Sequence, residues 1–114
     1  MNKYGVLTTD DELLEADVDD YETLRKEGTY RLLLNCRSWY SNGRSYGLIC
    51  YFEDSEGELY QIFCFRHKVD GKEIYNPKNS KINFAEVADG TLWDITMAKN
   101  KKGRAEWVDA VLVG

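Results

Sequence analysis

The sequence predicts a mainly β protein: a small five-stranded barrel with an acidic, helical extension at its N-terminal end. Three observations carry this. From Thr29 onward, runs rich in aromatic and β-branched residues recur between short polar turns. Aromatic residues make up 13% of the chain, enough apolar area to offset the entropy of folding. A length of 114 residues fits one domain and is too short for two separate cores.

The elements follow in order. Thr9-Asp10-Asp11-Glu12 has the form of a capping box, with Leu13 and Leu14 behind it, and predicts a short helix over Asp10–Ala16. Tyr21–Lys26 allows another turn before Gly28. Thr29–Tyr40 is a long strand, and Asn42-Gly43 marks a tight turn because both residues tolerate positive φ. Ser45–Glu53 and Glu58–His67 are the second and third strands, joined through Asp54-Ser55-Glu56-Gly57. Val69–Lys81 reads as a polar connection. Asn83-Phe84-Ala85-Glu86 repeats the cap-like spacing and Gly90 is a fitting stop, so a short helix is expected there. Thr91–Lys99, with Trp93, Ile95 and Met97 on one face, and Ala105–Val113 form a final hairpin around Lys101-Lys102-Gly103-Arg104. The domain boundary falls at residue 28, with an acidic segment over 1–28 and the barrel over 29–114.

A three-strand meander, a short helix and a hairpin is the element order of an OB-fold. An SH3-like barrel and a small open sandwich are the competing β architectures. The stretch Asp20-Tyr21-Glu22-Thr23-Leu24-Arg25-Lys26-Glu27-Gly28-Thr29-Tyr30 also resembles the lead-in to the first strand of small phage OB-like proteins. There an acidic-aromatic stretch precedes Glu-Gly-x-Tyr. The departure is Arg25-Lys26, where a proline is common. The resemblance implies a nucleic-acid-binding or phage accessory protein.

The net charge of −5 by itself disfavours a polyanionic partner, but it is unevenly spread. Residues 1–22 hold eight acids against one base (−7), and the remainder holds 12 acids against 14 bases (+2). A mildly basic body therefore carries an acidic leader, which is either a solvated segment or an interaction tail.

Face assignment points to a binding surface. A hairpin closed by residues 54–57 opposes Tyr51 with Tyr60 and Ile49 with Ile62. Tyr51, Tyr60 and Arg66 then share one face, while Leu48, Cys50, Phe52, Leu59, Phe63 and Phe65 make the core face. In the first strand Tyr30, Leu32, Leu34 and Cys36 are the apolar set, opposite Arg31, Asn35, Arg37 and Trp39. A strict two-residue turn at Asn42-Gly43 puts Cys36 on the same face as Tyr51, so a bulge in the strand is needed to bring both apolar sets inward.

The resulting outer face would suit single-stranded nucleic acid. Arg31, Arg37, Arg44 and Arg66, with Lys99, Lys101, Lys102 and Arg104, would hold phosphates, and Trp39, Tyr51 and Tyr60 would stack bases. Packing competes for these rings, since most aromatics in so small a domain must be core. The alternative is an inhibitor of a host defence nuclease or another nucleic-acid-binding protein, of the anti-CRISPR or anti-restriction type. Its contacts would be Asp10, Asp11, Glu12, Glu15, Asp17, Asp19 and Asp20, imitating phosphate spacing. A third class is an assembly protein that uses an exposed sheet edge.

No enzyme, cofactor or metal is expected. Cys64-x-x-His67 offers two ligands where a structural zinc needs four, and residues three apart in a strand face opposite ways. No P-loop, dinucleotide fingerprint or serine elbow is present. An odd count of three cysteines, no apolar signal segment and no membrane span point to a cytoplasmic setting.

Overall fold

Gly28–Ser41 is an unbroken 14-residue run without proline, and it forms the central strand of the fold. The computed structural model describes residues 20–41, 43 and 46–114. The expected helix over Asp10–Ala16, the acids before Asp20, and Arg44 lie outside these residues. Within them the chain is mainly β. The strands are β1 (Glu22–Thr23), β2 (Gly28–Ser41), β3 (Tyr46–Glu53), β4 (Leu59–Val69), β5 (Lys72–Tyr75), β6 (Leu92–Lys99) and β7 (Ala105–Leu112). They form one sheet in the order β1-β4-β3-β2-β6-β7, with β5 paired to β4.

β2 serves two neighbours. Gly28–Leu33 pair with β6, and Leu33–Ser41 pair with β3. The sheet coils about one interior, and β4 and β7 line opposite sides of a seam across which no strand ladder forms.

The bulge that the sequence requires is present: the β2–β3 register shifts between Leu34 and Cys36. Asn35 is the extra residue, and its side-chain amide donates to Glu53 Oε1 at 3.0 Å and Tyr21 Oη at 3.1 Å. Its effect differs from the expected one. Leu32 and Leu34 stay in the main core, but Cys36 turns to the outer face with Tyr21 and Tyr51. Arg37 and Trp39 turn inward in its place.

The β3–β4 register corrects a second expectation. Glu53 pairs with Leu59 and Phe52 with Tyr60, one residue away from the Tyr51–Tyr60 pairing. The cause is the turn. Asp54 Oδ1 accepts the Glu56 and Glu58 amides, each at 2.9 Å, and the Asp54 amide donates to the Glu58 carbonyl at 3.0 Å. Glu58 thus belongs to a five-residue turn, with Gly57 at φ +84°. Because side chains alternate with period two, this single residue turns all of β4 over. Ile62 and Cys64 enter the core, and Phe63 and Phe65 face outward. Asn100–Arg104 builds the same turn between β6 and β7: Asn100 Oδ1 accepts the Lys102 and Arg104 amides at 2.9 and 3.0 Å.

Two further elements differ from expectation. Asp70-Gly71, both at positive φ, closes a two-residue hairpin that makes Lys72–Tyr75 a strand rather than a polar connection. Residues 83–90 form turns instead of a helix. Asn83 Oδ1 accepts the Tyr75 and Ala85 amides, so the supposed cap ties the segment to β5. This holds Phe84 at the centre of the core, fully buried, with ring centroids 4.7 Å from Trp93 and 4.6 Å from Trp107. Among the described residues, no helix is long and apolar enough to cross a membrane.

The start of the fold wraps the β4 edge. β1 runs parallel to Tyr60–Gln61, Tyr21 packs outside against Tyr51, and Leu24 enters the core. Residues 21–24, placed with the leader on composition, are thus packed into the sheet.

On the exposed half of the β2–β6 pair, Arg31 grips Asp94 with Nε–Oδ1 at 2.9 Å and Nη2–Oδ2 at 3.1 Å. The hydrogen bond from Arg31 holds the Asp94 carboxyl below its ordinary range. A depressed carboxyl stabilises the fold above its unfolded pKa and loses that contribution as pH falls through its folded pKa. Asp94→Asn is therefore expected to flatten part of the stability loss below about pH 4. Urea midpoints of the two proteins across the acid range check this, and parallel curves would refute it.

Candidate nucleic-acid interface

The cations and rings expected to make one outer face are dispersed. Arg31 is engaged by Asp94. Arg37 is 6% exposed; it donates from Nη1 to the Phe84 carbonyl at 2.8 Å and from Nη2 to Asp89 Oδ1 at 3.0 Å. Trp39 faces inward and meets Tyr75 edge-on at 4.9 Å. Tyr51 is buried at 4% exposure against Tyr21, and Tyr60 packs on the main core from inside. The expectation that Arg37, Trp39, Tyr51 and Tyr60 offer an exposed surface is therefore corrected. The bulge at Asn35 inverted the two β2 residues, the turn at Asp54 inverted Tyr60, and Tyr21 covers Tyr51.

The other predicted cations lie on the surface. Arg66 stacks over the Tyr46 ring at 5.1 Å and sits 3.6 Å from Glu73. Lys99 Nζ is 3.6 Å from Glu27 Oε1. Lys101, Lys102 and Arg104 are exposed on the β6–β7 turn, and no ion pair engages them among the described residues. Of the leader acids, Asp20 and Glu22 are described, and both are exposed.

The same register change creates an aromatic shelf that sequence reasoning placed in the core. Phe63 lies on the outer face, edge-on to Tyr40 at 5.2 Å and to Phe65 at 4.5 Å. Phe65 is 58% exposed. Gly47 makes this possible: a Cβ there would fall 2.2 Å from Phe63 Cζ, so the ring rests directly on the β3 backbone. The legible signal was the lone glycine in an apolar strand, a mark of close approach. Gly47→Ala is expected to displace the Phe63 ring at a cost of about 1–3 kcal/mol. A Gly47→Ala protein with unchanged urea midpoint would contradict that packing.

By alternation Arg66 and Lys68 turn to the other face of β4, where Arg66 meets Tyr46 and Glu73, while Lys72, paired to Val69 and exposed, shares the face of Phe63 and Phe65. On the other side of β4, the seam to β7 holds a cavity of about 280 Å³ whose lining includes Leu24, Ile62, His67, Lys78 and Trp107. His67 Nδ1 lies 2.9 Å from Asn76 Oδ1. The Asn76 amide donates to the Pro77 and Ser80 carbonyls, so its oxygen is the acceptor and His67 Nδ1 carries the proton.

Nothing on this surface offers an activated nucleophile. Burial pushes the Cys36 and Cys64 thiols up to about 12, and Cys50 well above its ordinary value. Among the described residues no group of three potential metal ligands converges. The surface is suited to contact: flat rings for stacking, with the Lys72 ammonium on the same face. No protein-family model, curated protein or solved structure matches the chain.

Proposed function

We propose that the chain is a non-enzymatic module that binds single-stranded nucleic acid through the β3–β4 face of an OB-like barrel. The observation that carries this reading is the shelf of Tyr40, Phe63 and Phe65, with Phe65 58% exposed and Lys72, paired to Val69, on the same side of β4. Exposed rings stack bases of any sequence, and adjacent cations neutralise phosphate.

The strand order supports the OB-like reading. The five long strands run β4-β3-β2-β6-β7, so the first of them is shared between both halves. In OB-folds the face of the second and third strands, with the loops after the first and the fourth, takes oligonucleotides. Here those are the β3–β4 face, residues 42–45 with Arg44, and the Lys101-Lys102-Gly103-Arg104 turn.

A labelled single-stranded oligonucleotide titrated across salt tests the proposal. Phe65→Ala should weaken binding by about 1–3 kcal/mol. The combined change Lys101→Ala, Lys102→Ala and Arg104→Ala should lower the salt slope by about 2. Absence of binding at low salt would refute the reading. It would move attention to the acidic alternative, whose test is loss of partner binding on neutralising Asp10, Asp11, Asp17, Asp19 and Asp20.

A further inference from the structure

We propose that the cavity in the seam between β4 and β7 is a pocket for one unstacked nucleobase, and that it reads the hydrogen-bonding edge of a base in the strand held on the shelf. This rests on the single-strand reading above and adds a second contact to it.

The polar side of the pocket is an open strand edge. β1 covers the outer edge of β4 at Tyr60–Gln61, and β5 covers it at Arg66–Val69. Between them, Ile62–Phe65 pair with β3 on one side only. The Gln61 carbonyl points outward to the Leu24 amide at 3.0 Å, and His67 points outward to its partner Ile74. Phe63 and Phe65, at the intervening odd positions, therefore also turn N–H and C=O outward, toward the cavity that they line. Among the described residues no backbone group pairs with them there. The facing β7 carbonyls of Trp107 and Val108 are taken by the Lys78 and Asn79 amides at 3.1 and 2.7 Å. Phe63 C=O and Phe65 N–H thus form a fixed acceptor and donor side by side on one rigid edge.

The rest of the lining defines the ligand. The cavity of about 280 Å³ lies at the lower end of the range for ligand pockets, so it admits a small ring system. Leu24, Ile62, Met97 and Trp107 give it apolar walls. Its charged residues Lys78 and Glu106 lie 3.4 Å apart and answer each other. His67 Nδ1 is held by Asn76 Oδ1 at 2.9 Å, and burial, which pushes the Cys64 thiol up to about 12, keeps that thiol neutral. With its charges paired, the pocket favours a neutral group over a phosphate or a charged side chain. A nucleobase is neutral and flat, and its Watson–Crick edge carries a donor beside an acceptor. Apolar walls on its faces and hydrogen bonds on that edge are how an extruded base is held.

Position selects the source of the base. Phe63 and Phe65 carry the shelf on their side chains and the pocket edge on their backbones. A strand stacked on those rings runs beside the seam, and a base tethered there enters at high effective concentration. In a single strand no base pair has to be broken first.

The test uses the full chain and single-stranded oligothymidylate, either unmodified or methylated at every thymine N3. Methylation removes the donor that would meet the Phe63 carbonyl, and leaves the phosphates and the ring faces that the shelf uses. The unmodified strand is expected to slow hydrogen exchange at the Phe65 amide. The methylated strand should bind about tenfold more weakly and lose that protection. Ala105→Leu, which adds methyl groups to the cavity beside Trp107, should do the same to the unmodified strand, with its urea midpoint as the check on folding. If that variant does not fold, the two strands on the native protein decide. Phe65→Ala should weaken both strands alike and keep the residue 65 amide protected at saturation. Equal binding of the two strands would overturn the pocket and leave the shelf standing, as would unchanged exchange at Phe65 under saturating unmodified strand. The same protection from free thymidine at the strand's concentration would overturn the assignment of the base to the strand. Absence of binding by either strand would refute both readings.

Discussion

Phe84→Ala is expected to lower the unfolding free energy by about 3–5 kcal/mol. Phe84 is fully buried in the core. Its ring meets Trp93 and Trp107, and Trp107 in turn meets Phe52 at 5.8 Å. The amide of Phe84 donates to the Tyr75 carbonyl at 2.8 Å, so the backbone cannot slide to refill the space. Domains of this kind have about 5–15 kcal/mol in total, and the variant is therefore near the edge of folding. Urea titration should show a lower midpoint with unchanged slope. Phe65→Ala, at a ring 58% exposed, is the internal control and should lose far less. A Phe84→Ala loss below about 1 kcal/mol would mean that the loop, and not its ring, holds the core together.

The second large effect is expected at Asp89. Asp89→Ala leaves the Arg37 guanidinium buried with its carboxylate partner gone. The Phe84 carbonyl remains on Nη1, but Nε already lacks a hydrogen-bond partner. Removing one member of a buried pair costs about 3–5 kcal/mol. The lower end applies here, because the Asp89 side chain is 29% exposed. The combination Arg37→Met with Asp89→Leu should recover most of the loss, since an apolar replacement of both partners removes the uncompensated charge. A double variant no better than Asp89→Ala alone would show that the cost arises elsewhere.

The pH response of this pair differs in sign from that of Asp94. Burial raises the Asp89 carboxyl above its ordinary value, outweighing the attraction of Arg37. A raised carboxyl contributes stability that is present below its unfolded pKa and lost as pH rises through its folded pKa. Ionisation of Asp89 therefore trims, as pH rises, what its contact with Arg37 contributes, a slope opposite in sign to that of Asp94.

Why the strands were legible and the binding face was not follows from particular residues. The five long strands are visible because their apolar spacing is local. Leu48, Cys50 and Phe52 alternate on β3, and Trp93, Ile95 and Met97 do so on β6; all six are buried. The facing of β4 was lost to one hydrogen-bonded turn. Asp54-Ser55-Glu56-Gly57-Glu58 and Asn100-Lys101-Lys102-Gly103-Arg104 share an Asx residue three places before glycine, a pattern that marks the longer turn. Counting Glu58 as strand exchanged Tyr60 for Phe63 and Phe65. The helix expected over residues 83–90 failed for a different reason. Asn83 has the chemistry of a cap, but its carbonyl oxygen satisfies Tyr75 across the fold, a partner that no local pattern reveals.

The charge division has a similar standing. The sequence by itself determined a mainly β domain, its strand positions, the need for a bulge in the first long strand, and a mildly basic body behind an acidic leader. These depend on periodicity and composition, which neighbouring residues carry together. Only the tertiary structure decided which side of each strand meets solvent. It buried Arg37 and Tyr51, paired Arg31 with Asp94, and brought out Tyr40, Phe63 and Phe65 over Gly47. The physical reason is that facing depends on register, register depends on hydrogen bonds within turns and bulges, and one residue there inverts every side chain beyond it.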